Sequence, residues 1–294
     1  MADGARVGVD LGGTSAKVGL VRDGRLLRRA QVPNPHEFEA CVRAIAGAAR
    51  EVCDGAAPAF VGIGLPGVTD AAQRVILDAP NLSFLEGRDL AAAVERELGA
   101  CVRLENDANV AALGEARHGA GAQHPDFLLA TLGTGVGGGI VLGGVLWRGP
   151  GGMAGEFGHI LTGHERRCGC GATGCLEAIA SALAMERLGA ERYGEALPLA
   201  DLARRARGAT PEPRASEVFR LAGAALGEAL SAVALLLDLR VFLFGGGGAP
   251  VLDLLEPHAL AVLDRRAFGR RAADFRLLRA GLGNDAGILG AAML

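Results

Sequence analysis

Val7-Gly8-Val9-Asp10-Leu11-Gly12-Gly13-Thr14-Ser15-Ala16-Lys17-Val18-Gly19-Leu20-Val21 reads as an apolar strand, a glycine turn and a second apolar strand. Asp23-Gly24 follows as a hairpin signal, and residues 25–32 make a third strand. Further along, helical periodicity covers residues 38–52, 89–98 and 108–117, alternating with strands at 59–65 and 102–104. The first half is therefore predicted as β-β-β-α-β-α-β-α. The opening pattern then returns: strand at 127–132, a glycine turn through Gly133–Gly138, strand at 139–142, a Gly143-Gly144 turn and strand at 145–147. Helices are expected at 177–188, 199–207 and 216–239. An apolar strand at 241–244 ends in Gly245-Gly246-Gly247-Gly248, with a helix at 251–255. Two strand–glycine turn–strand openings form a weak internal repeat and argue for two α/β lobes. No Pro/Ser-rich linker separates them, and residues 119–123 are the expected crossing point.

The chain of 294 residues is half apolar, enough for two ordinary cores. A net charge of −3 argues against a nucleic-acid binder, which shows a basic face. Lys17 is the only lysine among many arginines, a bias of base composition and not a functional signal. Residues 1–8 lack the basic and apolar regions of a secretory leader. The most apolar segment, 221–239, is interrupted by Glu228 and is predicted as a buried helix, not a membrane span. Six cysteines in a chain this long do not make a secreted disulfide scaffold, which points to the cytoplasm.

Three of those cysteines are clustered. His159-x8-Cys168-x-Cys170-x4-Cys175 supplies three thiols and an imidazole, the tetrahedral set of a closed structural zinc site. Gly169, Gly171 and Gly174 let the loop fold back on itself. A disulfide or inert thiols is the alternative, but Cys168 and Cys170 are too close to pair easily. Glu156 and Glu177 flank the cluster, so a metal there would fix two carboxylates.

The glycine turn at Gly12-Gly13-Thr14 lets backbone N–H groups approach an anion, and Asp10 could hold Mg²⁺ beside a phosphate. It is not a Walker A loop, for which Lys17 is misplaced. With the turns at 132–139 and 245–248, it points to a nucleotide held between two lobes. Glu105-Asn106-Asp107-Ala108-Asn109 stands between strand and helix, where ligands of α/β folds bind. Asp107 as a helix cap is the plain reading. Asn106 and Asp107 together also offer a sugar hydroxyl an orienting amide and a proton-accepting carboxylate.

These motifs, above all Gly155-Glu156-Phe157-Gly158-His159 followed by Cys168-Gly169-Cys170-Gly171-x2-Gly174-Cys175-Leu176-Glu177, resemble the ROK family over nearly the whole chain. The likeness is nearest to its bacterial ATP-dependent glucokinases. The resemblance implies the two-lobed, actin-like (ribonuclease H-like) α/β ATPase fold. Residues 1–119 plus 284–294 would form a small lobe and residues 120–283 a large lobe with the zinc loop, with ATP and sugar in the cleft between. It implies that Gly12, Gly13 and Thr14, with Asp10 and Lys17, face the phosphates from one lobe, Thr134 and Gly135 from the other, and that Gly246 and Gly247 lie near the adenosine. Asp107 would be the catalytic base, taking the proton of the sugar's primary hydroxyl as it attacks the γ-phosphorus of Mg-ATP. Asn81, Asn106, Glu156, His159 and Glu177 would hold the sugar, His159 binding structural zinc through its other nitrogen. The expected partner is a hexose, glucose first, with no nucleic acid and no membrane; a homodimer or homotetramer is expected. A repressor of the same family would need a helix-turn-helix ahead of Asp10, and none is read there. Fructokinase, N-acetylmannosamine kinase, N-acetylglucosamine kinase and polyphosphate-dependent glucokinase stay open as rivals.

Overall fold

A computed structural model describes residues 5–294; the first half of the 1–8 stretch read for a leader lies outside the described residues. The chain divides into two compact units. One comprises Met1–Pro125, Gly139–Gly155 and Gly281–Leu294; the other comprises Asp126–Gly138 and Glu156–Ala280.

The first unit is built on β1 (Arg6–Leu11), β2 (Ser15–Arg22), β3 (Arg25–Pro33), β4 (Phe60–Leu65) and β7 (Cys101–Asn106), in the order β3-β2-β1-β4-β7. β1, β2 and β3 run antiparallel as consecutive hairpins, whereas β4 and β7 join parallel. Every residue of β4 is buried, as a central parallel strand requires. The short pair β5 (Val68–Thr69) and β6 (Ile76–Asp78) was not visible in the sequence pattern. Helices α1 (Phe38–Val52) and α2 (Leu90–Leu98) pack together; Glu37 and Asp89 accept N–H groups at their starts and left-handed Gly99 ends α2. Helix α3 (Asp107–His118) follows β7 directly and packs on α9 (Ala286–Ala291). Val7 and Val9 join the core that includes α1, while Gly8 between them faces α9. Side chains alternate across a strand, so α1 and α9 cover opposite faces. A Cβ on Gly8 would stand 1.8 Å from the Ile288 carbonyl oxygen, and one on Gly62 1.7 Å from that of Ala291. Glycine on β1 and β4 is what lets α9 lie directly on the sheet.

In the second unit β8 (Phe127–Leu132), β11 (Val241–Gly245) and β12 (Arg276–Arg279) pair in parallel. The division between units falls inside β9 (Val136–Leu142), which pairs antiparallel with β10 (Val145–Trp147). Residues 139–155, assigned by the sequence pattern to the second lobe, thus cluster with the first unit, where β10 packs on α3 and Gly139 leaves room for Ala112. The helix expected at 177–188 is two helices, α4 (Glu177–Ala180) and α5 (Ala182–Tyr193). Ser181 breaks the run because its hydroxyl caps Ala184 N–H. After α6 (Leu199–Arg207), α7 (Pro213–Leu237) is long and apolar enough to cross a membrane. It packs instead along α8 (Leu252–Arg266), with Gly223 and Gly227 against the α8 backbone.

Candidate active site and metal cluster

The first unit gathers one group of expected residues. Asp10, near the end of β1, faces Lys17 of β2 in register, and Lys17 Nζ lies 3.0 Å from Asp10 Oδ2. The turn between these strands closes through Gly12 N–H donating to Ser15 O. Asn34, missed in the sequence, holds it from beside. Its Nδ2 donates to Gly12 O (3.0 Å) and its N–H to Thr14 O (3.0 Å). Asn34 is buried, and its one sequence signal is a polar residue between Pro33 and Pro35 at a strand end. Asn81, on the turn Pro80–Leu85, lies beside Gly13.

At the end of β7 the cap of α3 is Asn106, not Asp107. Asn106 Oδ1 accepts from Ala108 and Asn109 N–H, and its Nδ2 donates to Gly67 O. Asp107 is the first helical residue, and its Oδ1 also accepts from Ala108 N–H. Glu105 is buried just before them. It accepts from Asn106 N–H, Asn109 Nδ2 and Gln73 Nε2, and pairs with Arg148.

The second unit gathers the rest. The turn holding Thr134 and Gly135 closes through Gly133 N–H to Gly135 O. The Gly245–Gly248 turn leans on it: Gly248 N–H donates to Leu132 O, and Gly246, at φ 75°, has no room for a Cβ against that carbonyl. Glu177 Oε2 accepts from Val136 N–H at 2.9 Å, and a Cβ on Gly135 would stand 2.3 Å from that oxygen. The other oxygen, Oε1, accepts from the Cys168 thiol at 3.5 Å. Glu177 therefore bridges the glycine turn to the cysteine loop.

In that loop the ligand atoms of His159, Cys168, Cys170 and Cys175 all lie within 4.8 Å of one another. Cys170 Sγ and Cys175 Sγ are 3.7 Å apart, and Cys168 Sγ is 3.9 Å from His159 Nδ1. Tetrahedral zinc with Zn–S bonds of ~2.3 Å separates sulfurs by roughly 3.8 Å, so the donor set fits. His159 turns its other nitrogen, Nε2, toward Glu156, 3.9 Å from Oε2. Gly158 lies on the Val136 carbonyl, where a Cβ would come within 2.1 Å, and this seats the Phe157–His159 turn. Burial pushes the Cys168 thiol up to about 12 and raises that of Cys175; the Ala172 N–H lowers that of exposed Cys170. Buried thiols of this kind become good ligands only beside a cation. Independent anchors hold the loop: Glu228 of α7 accepts from Gly163 N–H, and Arg166 makes two hydrogen bonds to Glu191 of α5.

Comparison with known proteins identifies the family of the chain. The profile described as "ROK family" covers residues 6–294. A glucokinase of Streptomyces coelicolor is 36% identical over 99% of this chain and 97% of its own length. An N-acetyl-D-glucosamine kinase of Pectobacterium carotovorum is 31% identical over 98% of this chain and 97% of its own. The crystal structure of a ROK family glucokinase from Streptomyces griseus in complex with glucose and AMPPNP superposes with a TM-score of 0.83 at 35% identity, covering 99% of this chain and 98% of that one. The fold is accordingly the actin-like α/β ATPase fold, and the chain belongs to the ROK family.

Proposed function

We propose that the protein is an ATP-dependent hexokinase of glucokinase type, converting glucose and ATP to glucose 6-phosphate and ADP. The observation that carries this is Asp107 at the end of β7, with the capping of α3 carried by Asn106, in a chain similar to glucokinases over its full length. Asp107 takes the proton of the sugar's primary hydroxyl as that oxygen attacks the γ-phosphorus. Asn106, Glu156, His159 and Glu177, with Asn81, orient the other hydroxyls. Gly12, Gly13 and Thr14 with Lys17, and Thr134 and Gly135, present N–H groups and a cation to the phosphates, and Gly246 and Gly247 lie along the adenosine. Asp10 would help hold Mg²⁺, which supplies charge compensation on the phosphate oxygens; one carboxylate plus phosphates is a normal Mg²⁺ donor set. His159, Cys168, Cys170 and Cys175 would hold a structural zinc, which supplies a fixed point for the loop between Glu156 and Glu177.

The test is ADP release at saturating Mg-ATP with and without each of a panel of hexoses. Glucose should stimulate release strongly; equal rates with and without every sugar would end the kinase reading. N-acetylglucosamine belongs in the panel, since the Pectobacterium relative carries that name. Polyphosphate in place of ATP tests the donor. Light scattering tests for the homodimer or homotetramer, for which exposed Leu235, Leu236 and Phe268 offer apolar surface.

A further inference from the structure

Segment 149–155 reads Gly-Pro-Gly-Gly-Met-Ala-Gly and leads directly into Glu156. Four of its seven residues are glycine and none has a polar side chain, so the segment cannot fasten itself. Gly149, Gly152 and Gly155 all take positive φ, at 70°, 76° and 103°. An ungirded chain of this composition would sample many shapes. Two backbone bonds hold it: Gly152 N–H to Gly149 O within the segment, and Ala154 N–H to Arg148 O just before it. The second makes Arg148 the root of the loop.

Arg148 reaches inward. Its Nε donates to Glu105 Oε2, whose side chain is only 2% exposed, while the Arg148 side chain keeps 37% of its surface in solvent. The same carboxylate accepts from the backbone N–H of Asn106 and from Asn109 Nδ2, in the first turn of α3. One buried anion thus ties the root of a glycine loop to the strand end that presents Asn106 and Asp107. Gln73 Nε2 completes its coordination at 3.0 Å. A buried carboxylate with only neutral donors is costly, and the guanidinium offsets that cost.

We propose that Arg148 is a positioning residue for sugar: through Glu105 it holds loop 149–155 in register with Asn106 and Asp107. This rests on the reading of Asn106 and Asp107 as sugar-handling groups. Untethered, the loop would occupy the binding arrangement only part of the time, and apparent sugar affinity falls by that fraction.

Four variants test it: Arg148→Met, Arg148→Lys, Glu105→Gln and the double Glu105→Gln/Arg148→Met. Arg148→Met should speed amide exchange at Gly152 and Ala154 and raise the sugar KM by roughly tenfold or more, with the ATP KM within about twofold. Arg148→Lys, which keeps the charge, should recover part of the loss. Glu105→Gln should also raise the sugar KM. The double variant removes the uncompensated charge, so its melting temperature should recover toward wild type while its sugar KM stays raised. If the sugar KM returns together with the melting temperature, the pair is structural only and the proposal is overturned. Unchanged exchange in Arg148→Met overturns it as well. Wild-type protein with no sugar-stimulated turnover would instead refute the kinase reading, and the exchange result would then decide the tether by itself.

Discussion

In the first unit the Gly12–Thr14 turn is braced from close by, by Asn34 at the end of β3 and by the Lys17–Asp10 pair across β1 and β2. In the second unit the Gly133–Gly135 turn is braced by Glu177, which reaches Val136 N–H from 41 positions away. Glu177 also accepts from Cys168, so this brace depends on the cysteine loop. Three consecutive antiparallel strands bring their own ends together, and a turn among them is braced by residues the hairpins deliver. The Gly133–Gly135 turn also joins neighbouring strands, β8 and β9, but β10 pairs only with Ile140–Leu142 of β9 and ends short of the turn, whereas β3 runs along β2 as far as Ser15 opposite Pro33. A distant loop must do that work, and a metal cluster is one way to order it. The glycine turn of the first unit should thus be indifferent to metal, and that of the second should feel it.

The largest expected effect lies in the first unit and does not involve metal. Asp107→Asn should lower kcat by ~10²–10⁴-fold while leaving sugar affinity and metal content nearly unchanged. Because Asn106 caps α3, the melting temperature should hold too. Near-wild-type turnover would remove Asp107 from the mechanism.

Next comes the cluster. Elemental analysis should find one zinc per chain, and Cys168→Ala should lose it. It should also raise both substrate KM values, on the order of 10–100-fold as for other groups that orient a site from behind. Zinc lost with both KM values intact would show that Glu177 transmits nothing, and the contrast between the two turns would collapse. Metal affinity should fall as pH falls. Burial holds the Cys168 and Cys175 thiols protonated at neutral pH, so binding releases protons and acid competes with the metal.

Asn34→Ala should act on the first turn alone. Losing a hydrogen bond of about 1 kcal/mol predicts roughly a fivefold rise in the KM for ATP, with zinc content and sugar KM unchanged. A change in zinc content would mean that the two turns are coupled after all. The smallest effect is in stability: Asn106→Ala removes a cap worth ~1 kcal/mol and should lower the melting temperature by roughly 2–4 °C, whereas Asn106→Asp should not. Calorimetry on the pair separates this loss from any rise in sugar KM.

Much of the candidate site could be read along the chain because its parts are contiguous. The cysteine loop, the 12–14 turn and the Asn106-Asp107 strand end each lie within one local element, and residue type with spacing is enough to recognise them. The division of capping between Asn106 and Asp107 could not be read that way, since either side chain can cap and only the backbone direction at the end of β7 selects one. Asn34, Gln73 and Arg148 carried no usable signal, because their partners stand 22, 32 and 43 positions away.

The order of residues determined the elements with strong periodicity, the three glycine turns and the Cys/His cluster. Backbone freedom, hydrophobic alternation and donor chemistry are local properties. Tertiary structure decided which unit residues 139–155 join, where the run at 177–193 breaks, and that Glu177 serves the Gly133–Gly135 turn. Those outcomes depend on close packing: Gly139 against Ala112, Gly135 against Glu177, and Glu105 with four donors from three segments. A buried carboxylate must find its partners wherever the fold brings them, and sequence distance places no bound on that search.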